Sequence, residues 1–181
     1  SPVLMLPAVH GSSWGYRHRA RLSVRHVVKK QAVLVGFHEK RSSFIADMHS
    51  CEILPARISR LITPLRELVE SLSVRERLPQ IEVSLGEEVD VLVLRILEPL
   101  TPEDEPRLRS LADRHHVQII LQPRGPDSAH PFHPQDAPEL NYVLPEFDVV
   151  MPFHPTEFTQ VNPAMSRVLV RRAISLLAPR P

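Results

Sequence analysis

Phe153-His154-Pro155-Thr156-Glu157-Phe158-Thr159-Gln160-Val161-Asn162 is the stretch around which the chain is organised. It reads as the end of a strand, a tight turn, a short extended piece and a helix start. Asn162 is a good N-cap, and Pro163 suits the first helical turn, where its missing N–H is not needed. Behind it, Met165, Val168, Leu169, Ala173, Leu176 and Leu177 recur at helical spacing, which predicts a helix over 162–178. Phe158 and Gln160 stand two residues apart on extended backbone and so point to the same side. An aromatic face beside an amide that both donates and accepts suits a planar, hydrogen-bonding ligand such as a nucleobase. The same pair also fits a plainer reading, with Phe158 in the core and Gln160 capping a loop.

Upstream of this stretch the pattern alternates between strands and helices. In Tyr16 to Arg25, residues Arg17, Arg19, Arg21, Ser23 and Arg25 fall on one face and Tyr16, His18, Ala20, Leu22 and Val24 on the other. That is a half-buried strand with an arginine-lined outer face. Four guanidinium groups along about 27 Å of strand, at about 3.4 Å per residue, approach the phosphate spacing of a nucleic acid strand, and arginine binds phosphate bidentately. The alternative is cross-strand pairing with acids, which are few nearby, so RNA contact through Arg17, Arg19 and Arg21 is favoured. Ala32 to Phe37 reads as the returning strand, and Phe44 to Met48 as a third. Leu54 to Leu72 reads as a helix in which internal Pro64 forces a kink or restart. Residues 80–86 and 89–97 form a second hairpin, 101–116 a helix, and Val117 to Leu121 a strand. Residues 123–139 read as a loop, and Asn141 to Leu144 with Asp148 to Phe153 as a last hairpin. The fold class expected is α+β: an antiparallel or mixed sheet built from hairpins, with about three helices.

The 181 residues suffice for one ordinary domain with a real core, and 43% hydrophobic with 24% charged residues is a soluble globular composition. Nineteen prolines against five glycines imply stiff turns and strand ends. No apolar run reaches the roughly 18–20 residues that span a bilayer, and Ser1 to Pro7 does not resemble a signal peptide. A cytoplasmic location, with no membrane partner and a monomeric state, is expected. The net charge of +1 hides an asymmetry: residues 1–60 hold ten Lys/Arg and three acids, the remainder 12 and 18. A basic end on an acidic body points to a localised polyanion contact. Trp14 reads as a core or edge anchor more readily than as a base-stacking group. The ten histidines form no metal-binding pattern such as HExxH. A lone cysteine, Cys51, is on composition alone a small buried hydrophobe.

Three segments carry a resemblance. Phe158-Thr159-Gln160-Val161-Asn162 followed by a helix resembles the F-x-Q-V-N motif of the uracil-C5 RNA methyltransferases. Tyr16-Arg17-His18-Arg19-Ala20-Arg21-Leu22-Ser23 is similar to the Y-R-x-R-A-R-L-S segment of that family's 23S ribosomal RNA branch. Gly36-Phe37-His38, Ser42 to Asp47 and Cys51-Glu52-Ile53-Leu54 resemble its G-F-x…I-V-D…C-P-I-L segment, with Glu52 where the family usually has proline. The matches run in family order over residues 16–162.

The resemblance implies a chemistry. A cysteine thiolate adds to C6 of the target uracil, C5 takes the methyl group of S-adenosylmethionine, and a carboxylate base removes the C5 proton. It implies that Gln160 lies at the cofactor and target-base pocket, that Phe158 contributes an aromatic face beside it, and that 23S ribosomal RNA is the partner. It implies that Cys51 is the fourth ligand of a [4Fe–4S] cluster whose other three come from an upstream cysteine-rich segment. Those three, the catalytic cysteine and the D-x-F-C-G cofactor loop have no match in this sequence. Cys51 is therefore expected to be a free thiol here. The chain is expected to be a fragment: residues 1–161 the central domain, residues 162–181 the helix linking to a Rossmann-like catalytic domain absent from this chain. It is expected to methylate nothing alone. The alternative is a stand-alone, non-catalytic RNA-binding module using the Arg17–Arg25 face.

Overall fold

Alternation along β1 (Arg19–Val27) sets the sheet: Ala20, Leu22 and Val24 are buried, while Arg21 and Arg25 are exposed. The computed structural model describes residues 5–179. What was expected of Ser1–Leu4 and of Arg180-Pro181 lies outside them. β1 turns through Val28–Lys30 into antiparallel β2 (Ala32–Gly36), with Gln31 left-handed at the reversal. Its other edge pairs antiparallel with β3 (Gln80–Leu85), which forms a hairpin with β4 (Asp90–Arg95). β4 lies parallel to β5 (Val117–Gln122), and such a pair needs a crossover, here α3 (Glu105–His115). β6 (His130–His133) closes a six-stranded mixed sheet of order β2-β1-β3-β4-β5-β6, and β7 (Asn141–Leu144) with β8 (Val149–Pro152) makes a separate two-stranded ribbon. The remaining helices are α1 (Ala56–Ser59), α2 (Ile62–Ser71) and α4 (Pro163–Leu177). The α+β expectation, with a mixed sheet, holds.

The core lies on one face of the sheet. Ile58 of α1, Ile62, Leu65 and Val69 of α2 and Leu108 of α3 pack against Leu22, Ile81, Val83, Leu92, Leu94 and Ile119. The opposite face carries a smaller cluster of Val91, Val93, Ile120 and Leu140, with Phe153 against it. One charge is sealed in the interior. Asp104 is fully buried and accepts from the backbone of Ser73 at 2.9 Å, from that of Thr101 at 3.0 Å and from the Ser73 hydroxyl. Burial works against its charge, but these hydrogen bonds outweigh it and hold the carboxyl below the usual range.

Several expectations change. The helix over 54–72 is two: α1 ends at Ser59 and α2 restarts at Ile62, because Pro64 cannot donate to the carbonyl of Arg60 and its ring would collide with it. Phe44–Met48 is no strand. Only an isolated bridge, His38 to Ile45, forms, and the carbonyl of Met48 is taken by Arg66 at 3.1 Å. α3 begins at Glu105 rather than Thr101, since Asp104 turns its carboxylate back to Thr101 and Ser73. The loop over 123–139 contains β6, an edge strand that tolerates Pro131 because an edge leaves one set of N–H groups unused. Trp14 is no core anchor: it is 62% exposed in a turn whose ends are tied by the Ser12 hydroxyl.

Candidate functional site

The stretch 153–162 folds as its sequence indicates. β8 ends at Pro152, a turn follows, residues 158–160 are extended and α4 begins at Pro163. Asn162 caps the helix, its Oδ1 accepting from the Met165 N–H at 3.0 Å. Glu157 braces the turn by accepting from the His154 backbone at 2.8 Å. The first strand grips this loop from far away in sequence. Arg19 donates through Nη2 to the carbonyl of Pro155 at 2.7 Å and through Nη1 to Thr159 Oγ1 at 3.3 Å, and the N–H of His18 donates to the carbonyl of Val161 at 2.8 Å.

Below the loop lies a cavity of about 510 Å³ between β1, the β3–β4 turn, β7 and the start of α4. Gln160 and Thr159 line it; Phe158 does not, and projects to solvent at 84% exposure. The plainer reading of Phe158 as core is thus wrong, and Gln160 is exposed as well. The walls mix charges. Arg57 donates to both oxygens of Asp90 at 2.6 and 3.0 Å, and Arg167 donates to Glu87 at 3.0 Å and to the carbonyl of Val143 at 3.0 Å. Asp90 raises the pKa of Arg57. Burial, then the Arg57 guanidinium, push His18 below the ordinary imidazole value, so it is neutral near pH 7 and able to accept as well as donate. On the floor, Ser84 is 1% exposed and its hydroxyl has no hydrogen-bond partner among the described residues. Tyr142 and Phe153 meet with ring centroids 6.1 Å apart. The β3–β4 turn fits closely at Gly86, where a Cβ would come within 3.1 Å of Leu140 and of the Val89 carbonyl.

This arrangement is equipped to bind and orient. It holds aromatic, amide, hydroxyl and imidazole groups, and no thiol lines it. Cys51 is elsewhere: half-buried against the main core, its N–H donating to Ser59 Oγ at 2.8 Å. Among the described residues no three His, Cys, Asp or Glu side chains group to hold a metal, and the sequence supplies one thiolate of the four that such a cluster takes.

The structure brings Arg19 to Gln160 but separates the other arginines. Arg21 pairs with Glu82, directly opposite on β3, at 3.0 Å while remaining 69% exposed. The acid that sequence proximity did not show comes from across the sheet. Arg17 precedes β1, and its Nε is buried without a partner among the described residues. Sequence reasoning passed over Ser84, Glu87, Asn141 and Arg167. Only the Gly86-Glu87-Glu88 turn carried a signal, as a turn.

Comparison with known proteins bears on the same region. No family model matches the chain. It is 73% identical over 180 residues to the 23S rRNA (uracil(1939)-C(5))-methyltransferase RlmD of Nitrosospira multiformis, covering 99% of this chain and 41% of that protein. It is 63% identical over 180 residues to the RlmD of Thiobacillus denitrificans, covering 99% and 42%. Its fold matches that of Pyrococcus abyssi tRNA (uracil-54, C5)-methyltransferase, solved with S-adenosyl-L-homocysteine, at a TM-score of 0.65 and 20% identity over 91% of this chain and 42% of that chain. The chain is a homologue of one region of the 23S rRNA uracil-C5 methyltransferases, spanning about two fifths of the length of the curated relatives it matches.

Proposed function

We propose that this homologue serves as the central region of a 23S rRNA uracil-C5 methyltransferase, holding the target nucleotide beside a catalytic domain that completes the site. The observation that supports this best is the presentation of Phe158 and Gln160. A loop gripped by Arg19 and capped into α4 by Asn162 exposes an aromatic ring and places an amide at the mouth of a polar cavity. Phe158 offers a stacking face to a flipped-out base, and Gln160 hydrogen-bonds its edge. S-adenosylmethionine supplies the methyl group when bound. This chain offers it Gln160 as an edge contact rather than an enclosing cleft. Residues 1–161 form the central domain and 162–181 lead toward the catalytic one. Cys51 is a cluster ligand only if three thiolates reach it from outside this chain. Of the arginines, Arg19 acts by positioning the loop, whereas Arg21 and Arg17 lie where RNA contacts would be made. No helix of the described residues is long and apolar enough to cross a membrane.

The test is methyl transfer to a 23S rRNA fragment by the full-length polypeptide. Phe158→Ala should lower kcat/KM by about 5- to 150-fold, the worth of one stacked base. Gln160→Ala should lower it by at least about tenfold, the worth of a base hydrogen bond. The 181-residue chain alone should transfer nothing. Full activity in both variants would refute the assignment.

A further inference from the structure

A second cavity, of about 420 Å³, opens at the far end of β1 from Gln160. It is lined by Ser23, Arg25, His26, His38, Arg75 and Glu76, among others. The charges here are arranged differently from those of the main cavity. Arg25 and Arg75 are exposed and have neither an ion pair nor a side-chain hydrogen bond among the described residues. Glu76, the acid lining this cavity, is engaged: it lies 3.2 Å from Nδ1 of His26, whose Nε2 is 4.0 Å from Glu70. His38 Nε2 and Ser23 Oγ stand 3.1 Å apart and add polar atoms to the same wall.

Along the outer face of β1, Arg19 is committed to the 155–159 loop and Arg21 to Glu82. Arg25 is thus the strand's uncommitted guanidinium, and the cavity sets it with Arg75, from a segment fifty residues away in sequence. Two guanidinium groups that share a cavity with a hydroxyl and an imidazole suit a phosphodiester: arginine forks bind phosphate oxygens in pairs, and serine and histidine add single hydrogen bonds. We infer that the Ser23–Arg25–His38–Arg75 cavity is a phosphate-binding subsite for the RNA backbone, gripping the strand away from the target base. This rests on the reading that the chain handles RNA.

The experiment is binding of a short single-stranded oligoribonucleotide to the 181-residue chain between 50 and 200 mM salt, with amide NMR shifts recorded for Ser23, Arg25, His38 and Arg75. The expected result is movement at all four residues. With Arg25→Ala and Arg75→Ala combined, affinity should fall at least about tenfold at low salt, and the slope of log affinity on log salt should flatten by about 1.4, or about 0.7 per lost phosphate contact. Arg171→Ala, which removes a charge already paired with Glu146 at 3.4 Å, should change affinity less than about threefold. Binding of the double variant within twofold of the parent would overturn the inference, as would no RNA binding by the parent at 50 mM salt. So would movement of these residues with inorganic phosphate but not with RNA. In the full-length polypeptide the double variant should raise KM for RNA at unchanged kcat. That result with silent Phe158 and Gln160 variants would sink the proposed function and leave this subsite standing; loss of activity in those variants with no effect of the double variant would do the reverse.

Discussion

Helices α2 and α4 carry comparable apolar stripes and have opposite surroundings. In α2, Ile62, Leu65 and Val69 are fully buried under the sheet, and Leu68 nearly so. In α4 no residue is buried: Leu169 is 52% exposed, Leu176 62% and Leu177 77%. Polar contacts hold α4 instead: the Asn162 cap, Arg167 to Val143 and Glu87, Arg171 to Glu146, and Arg172 to the carbonyl of Pro7. Hydrophobic spacing therefore specifies a helix and a face, not what rests on that face. Val150 and Met151 of β8 are likewise open to solvent.

The contrast can be broken by paired truncations. Leu65→Ala should cost about 3 kcal/mol in urea unfolding, the range for a leucine deleted from a tight core, while Leu169→Ala should stay within about 0.5 kcal/mol. Equal losses would mean that α4 packs as α2 does. The interior is further tested at Asp104, which ties α3 to the segment after α2. Asp104→Asn should cost about 2–3 kcal/mol at pH 7, since it removes a charged acceptor from buried donors. Its folded pKa lies below the unfolded value, so the carboxylate's stabilisation is complete above about pH 3.9 and is lost as pH falls through the lower folded pKa. The parent should thus lose its margin over the variant in acid, as read by unfolding at pH 7 and pH 3. A smaller loss than either core change belongs to the α4 cap: Asn162→Ala should cost about 1 kcal/mol, seen as faster amide exchange confined to residues after 162.

What the sequence made legible was local. Asn162-Pro163 marked the helix start, the arginine alternation marked β1, and Pro64 marked the break between α1 and α2. What it hid depended on partners distant in the chain. Glu82 faces Arg21 because β3 inserts beside β1, 61 residues on. β6 was masked by its proline and two histidines, which an edge position tolerates. Ser84 looked like any polar residue in an alternating strand; only the fold seats it in a cavity that residues of β7 and α4 also line. Phe158 and Gln160 were legible as a pair, but only the fold shows that Phe158 stands out in solvent while Gln160, also exposed, lines the mouth of a cavity.

The bond from Arg172 to Pro7 has one more consequence. Together with the contact of Met165 on Gly11, it lays the opening arm along the closing helix, so both ends of the described chain leave from the same side. A unit with neighbouring ends behaves like a cassette: it fits between two consecutive positions of a host polypeptide without stretching it. Joining the ends by a short linker and cutting a surface turn elsewhere should therefore leave the sheet intact.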